Sequence, residues 1–173
     1  MNALVAKNSF RFIFLILLQG LVLMSITLDY SYFSYMNIIV YPLAIMLLPV
    51  RTPKTLIIFL SFALGILLDF FYNSPGVHAA TCVFMGFIRP YILSWIEPRG
   101  GYSVDSTPTM RQFGFKWVFI YTCIFMGLHL FLLFSIQQFT FVYIGRIFIK
   151  TVMSFSVSVI FIMVYLLIFN PEE

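Results

Sequence analysis

Three side chains near the middle of the sequence, Asp69, Ser74 and His78, are of the types that acid–base or nucleophilic chemistry draws on. Asp69 follows Gly65 by four residues and Ser61 by eight, so on a helix the three share one face. An ionisable group on a small-residue face of an apolar helix is costly unless it is paired or wet. His78 lies just across an Asn73-Ser74-Pro75-Gly76 turn, within reach of a hydrogen bond or ion pair with Asp69. The plainer alternative leaves Asp69 in headgroup water and His78 simply at a helix start. An Asp and a His do not make a hydrolase, because nucleophilic catalysis also needs a positioned nucleophile and a site for the developing oxyanion. His129 has no second ligand at helical spacing, and the sequence holds no Gly-rich phosphate loop, Cys and His cluster or HExxH pattern. The expectation is a non-catalytic protein with no metal and no cofactor.

Two sets of basic residues stand inside apolar runs. Arg89, followed by Pro90, is seven residues before Ile96, about 10 Å at the helical rise. A snorkelling side chain covers that distance; the alternative is a polar cavity or an acidic partner. Near the C-terminus Thr151, Ser154 and Ser158 recur at i, i+3, i+7, with Lys150 beside them and Arg146 one turn earlier. Hydroxyls pack readily between membrane helices, but the two cations suggest contact with lipid headgroups or an acidic partner. Cys82 with Gly86 and Cys123 with Gly127 are small pairs at one-turn spacing that mark close-packed faces.

The elements that must position these residues are transmembrane helices. Of the 173 residues, 62% are hydrophobic and only 9% charged, outside the range of soluble chains. The ten Lys and Arg are scattered between apolar runs, which argues against nucleic acid and for loop charges that set membrane orientation. Lys7 and Arg11 ahead of an apolar run resemble a signal peptide, but with no small-x-small site near Leu28 a retained first helix is expected. Hydropathy predicts one domain, 1–173, with helices at about 12–28, 32–50, 55–72, 77–96, 116–135 and 141–169. A loop covers 97–115, and residues 29–35 have interface composition. The second segment is the weakest and contains Pro42 and Pro49; a kinked helix is favoured there over a re-entrant hairpin. With six spans and both termini cytoplasmic, Lys7, Arg11, Arg51, Lys54, Arg99, Arg111 and Lys116 face inward, seven against Arg146 and Lys150 outside. If the second segment did not cross, the count would be four against five.

The stretch from Leu64 to His78 resembles the MreD family of rod shape-determining membrane proteins, in which a Gly is followed four residues on by Asp, then a short Ser and Pro or Gly turn, then a helix opening near Gly and His. Gly65, Asp69, Gly76 and His78 match that pattern, while the two prolines of the second segment depart from it. The resemblance implies an all-α, polytopic bundle of about six helices in the bacterial cytoplasmic membrane, with a fold like that of the substrate-binding components of energy-coupling-factor transporters. It implies a scaffold that binds MreC and, through it, an elongation complex with RodA, a penicillin-binding transpeptidase and MreB, supporting rod shape and lateral peptidoglycan synthesis. The alternative is a vitamin-binding transporter subunit. Those commonly carry an Ala-xxx-Ala pattern on the first helix, and 12–28 here contains no Ala.

Overall fold

The computed structural model describes residues 2–23, 36–103, 106–139 and 141–169. All regular structure among them is helical: α1 (Asn2–Leu17, continued by a π-helical turn Leu18–Leu23), α2 (Leu43–Met46), α3 (Lys54–Tyr72), α4 (Val77–Trp95), α5 (Met110–Gln138) and α6 (Ile144–Phe169). The last four are long and apolar enough to cross a membrane, and the apolar part of the first, Phe10–Leu23, is shorter. The interfacial stretch expected at 29–35, the start of the second segment and the four C-terminal residues lie outside the described residues.

α3 packs on α4, α4 on α5 and α5 on α6, each antiparallel to the last. The α3–α4 and α5–α6 connections therefore share one end of the bundle, here the turn end. Residues 96–109 and the start of α3 form the loop end. Phe14 and Phe169 have ring centroids 6.3 Å apart, so the end of α6 returns beside α1. The expected helix start at 116 falls just after Gly114, whose φ of 79° breaks α5 near its beginning.

The second segment is not the kinked helix expected from hydropathy. Within 36–50 only Leu43–Met46 is helical, yet residues 39–48 are buried without exception. Its backbone runs down the bundle, from the level of Ser154 on α6 to the loop end, where the Val50 N–H donates to the Ser106 carbonyl at 2.8 Å. Pro42 and Pro49 lack the N–H that a continuous helix requires, and the residues before them are pushed towards extended backbone. Such backbone is tolerated at membrane depth only when enclosed by protein, because lipid offers no hydrogen bonds.

Candidate functional site

The turn after α3 folds back so that the Asp69 carboxylate meets the start of α4. Asn73 ends α3 in the left-handed region at φ 49°, which Asn tolerates better than most side chains, and Gly76 precedes α4 at φ 86°, where a Cβ would be strained. Asp69 then accepts the backbone N–H groups of Gly76 (3.0 Å), His78 (2.9 Å) and Ala79 (3.1 Å), donors that a helix start leaves without partners. Its charge also suits the positive end of the helix dipole. The Ser74 hydroxyl donates to the same carboxylate at 3.1 Å, and His78 Nδ1 lies 3.0 Å from it and 2.9 Å from Ser74 Oγ. A proton on His78 Nδ1, shared between the two oxygens, fits this network. A catalytic relay holds nucleophile and acid on opposite ring nitrogens. Here both sit on Nδ1, and the carboxylate is occupied as a helix cap.

The small residues ahead of Asp69 let α3 and α4 approach to backbone contact. A Cβ added at Gly65 would lie 2.3 Å from the Ala79 Cα, and one at Gly86 would lie 2.4 Å from Ser61 Oγ. Ser61, Gly65 and Asp69 thus form one face, as their spacing predicts, and that face is covered by α4 of the same chain.

Behind this joint a polar network reaches the non-helical segment. The His78 ring packs against Tyr72 (4.8 Å between centroids) and meets the Tyr41 ring edge-on (5.8 Å). The Tyr41 hydroxyl is 2.8 Å from His129 Nε2, while His129 Nδ1 is buried without a hydrogen-bond partner among the described residues. Gln19, on the π-helical turn, donates to the Tyr72 hydroxyl (2.7 Å) and the Ile38 carbonyl (3.0 Å) and accepts from the Val40 N–H (2.8 Å). Nothing singled out Gln19 in the sequence beyond its being a lone amide in an apolar run.

The polar stripe of α6 divides. Ser154 and Ser158 point inward and accept the N–H groups of Asn37 (3.0 Å) and Ile39 (2.9 Å), while Thr151 bonds its own helix at the Ile147 carbonyl (2.7 Å). Arg146 is exposed, with its guanidinium 5.0 Å over the Tyr143 ring, and the half-buried Lys150 amine lies 4.6 Å over Phe134. Arg89 neither snorkels nor faces a cavity or an acid. It is fully buried, and its guanidinium donates to the carbonyls of Met46 (3.3 Å), Leu48 and Pro49 (3.5 Å). The Pro49 carbonyl also accepts from the Thr52 N–H and hydroxyl, so the cation chiefly serves Met46 and Leu48, acceptors that the broken second segment does not satisfy itself. Tyr121 adds a longer bond to Met46 (3.4 Å). Below them the loop end is closed by Trp117, which donates to the Ile96 carbonyl, and by Tyr102, which donates to that of Leu93, both at 2.8 Å. Burial pushes the Tyr102 phenol up to about 12, so it keeps its proton, and this bond, through the neutral range.

No protein-family model, curated protein or solved structure matches this chain.

Proposed function

We propose that the protein is a non-catalytic membrane scaffold of the bacterial cell-elongation complex, with an MreD-like role: binding MreC and supporting rod shape and lateral peptidoglycan synthesis. The observation that carries this reading is the Gly65, Asp69, Gly76 and His78 motif, which acts as a unit. Gly65 brings two helices into backbone contact, Gly76 makes the turn, and Asp69 with His78 caps and braces the second helix. Residues spent in this way make a rigid surface for recognition rather than a reactive centre. The proposed setting is the cytoplasmic membrane, with both termini in the cytoplasm. Depletion in a rod-shaped host is the test: cells should lose rod shape, and tagged protein from native membranes should bring MreC with it. Normal shape on depletion, with no MreC recovered, would refute the scaffold.

A second reading rests on the broken segment 36–50. Non-helical backbone buried at membrane depth beside polar side chains is how several transporters build a substrate site. A vitamin-binding subunit would retain its ligand stoichiometrically through purification, and vitamin uptake would fall on depletion while shape stayed normal.

A further inference from the structure

We propose that the outer face of α4 at the loop end is a binding site for an anionic phospholipid, with the phosphate at Lys54 and an acyl chain along a stripe of aromatic rings. Phe84, Phe87, Tyr91 and Trp95 follow one another at i, i+3, i+7 and i+11, so they share one face of α4, and all four are exposed. The opposite face, with Cys82, Met85, Gly86 and Arg89, is buried in the bundle. The stripe spans about 16 Å at the helical rise, close to the depth of one leaflet of the hydrocarbon core. The Phe87 and Tyr91 rings, 5.7 Å apart between centroids, make its middle continuous. Trp95 ends it at the loop end with 78% of its surface exposed, the place and the residue type of a membrane interface.

Charge identifies the occupant, and the cation that supplies it touches the stripe. The exposed Lys54, at the start of α3, holds its ammonium 5.6 Å from the centroid of the Tyr91 ring. Arg51, Arg99 and Lys116 are also exposed at this end, and among the described residues none of these four cations is in an ion pair. Glu97 is the one acid there among the described residues. An anion that reaches Lys54 therefore meets positive charge above it and aromatic surface beside it. That combination suits an amphiphile with a negative head and an apolar tail better than a hydrated acidic protein, which would leave the rings uncovered. This site is independent of the scaffold reading.

Tryptophan fluorescence of the full chain tests it, in phosphatidylcholine vesicles that carry the same small fraction of brominated phosphatidylglycerol or of brominated phosphatidylcholine as quencher. Quenching should show phosphatidylglycerol enriched about fivefold beside the protein, the preference that one interfacial cation supplies. Trp95→Phe should abolish the difference, because Trp117 is half-buried at the loop end. Lys54→Gln should erase the preference while brominated phosphatidylcholine quenches as before, which shows the fold intact. Lys116→Gln, which removes an equal charge from another helix at the same end, should leave most of it. Neither glycerol phosphate nor polyglutamate at millimolar concentration should displace the lipid. Equal quenching by the two lipids in the unaltered protein would overturn the proposal. So would equal losses in the Lys54 and Lys116 variants, the mark of a diffuse field without a site, or displacement by glycerol phosphate or by polyglutamate, the marks of a free phosphate site and of an acidic protein partner.

Discussion

Arg89 shows how far one side chain's role can lie from what its sequence position suggests. An arginine seven residues from a helix end reads as snorkelling, because that is the cheap solution on a lipid-facing surface. Its position alone does not reveal that the neighbouring segment has unpaired carbonyls, since those arise from Pro42 and Pro49 on another element. Asp69 and His78 were legible because their partners are local: the turn is short, and the carboxylate needs only to reach the start of the next helix. Removing the guanidinium leaves the buried Leu48 carbonyl without its donor, at about 1–3 kcal/mol when unpaired, and leaves Met46 with only the longer Tyr121 bond, while the Pro49 carbonyl keeps the Thr52 N–H and hydroxyl. Arg89→Met should therefore destabilise the protein by about 2 kcal/mol. Arg89→Lys should recover part of the loss, since an ammonium has donors but not the planar fork. Thermal unfolding in a mild detergent measures both, and an Arg89→Met protein as stable as the parent would mean that the segment is held by something else.

Elements α3 to α6 follow from hydropathy and turn chemistry, and the spacing of Ser61, Gly65 and Asp69 identified the face that α4 covers. The second segment departs from its hydropathy for a physical reason. Its apolar composition reports burial, and burial at this depth usually means helix because the backbone must bond itself. Here Gln19, Ser154, Ser158 and Arg89 supply those bonds from other elements, and nothing local in 36–50 encodes them. Between α3 and α4, two glycines at similar contacts differ in what opposes them, and so in cost. Gly65→Ala drives a methyl into the Ala79 backbone, which cannot yield without the helices separating, and should cost about 3 kcal/mol, the upper end for overpacking. Gly86→Ala meets the end of the Ser61 side chain, which can rotate away, and should cost about 1 kcal/mol. Chemical unfolding of the two variants distinguishes them. Equal losses would mean that the α3–α4 interface adjusts freely and that its small residues do not set the helix separation.

The topology of the whole chain depends on whether segment 36–50 carries it across the bundle. The charge asymmetry of seven to two exists only if it does, and falls to four against five if it does not. A crossing need not be helical to invert the sides of α3 to α6. The Val50–Ser106 bond brings the end of the segment to the loop end, while Val142 is exposed at the turn end. Single cysteines at Arg51, Arg99 and Val142, in a background with Cys82 and Cys123 replaced by Ala, should divide two against one. A membrane-impermeant maleimide added to intact cells should label Val142→Cys, and Arg51→Cys and Arg99→Cys only after the membrane is opened. The background is tolerable because Cys82 is an enclosed small residue and Cys123 is half-buried, so both substitutions remove little volume. If instead Arg51→Cys and Arg99→Cys were labelled in intact cells and Val142→Cys only after the membrane is opened, the segment would be a re-entrant insertion. The hydrogen bonds from Ser154, Ser158 and Gln19 would then brace a loop that enters and leaves on one side, and the basic residues at 51 and 54 would lose their cytoplasmic assignment.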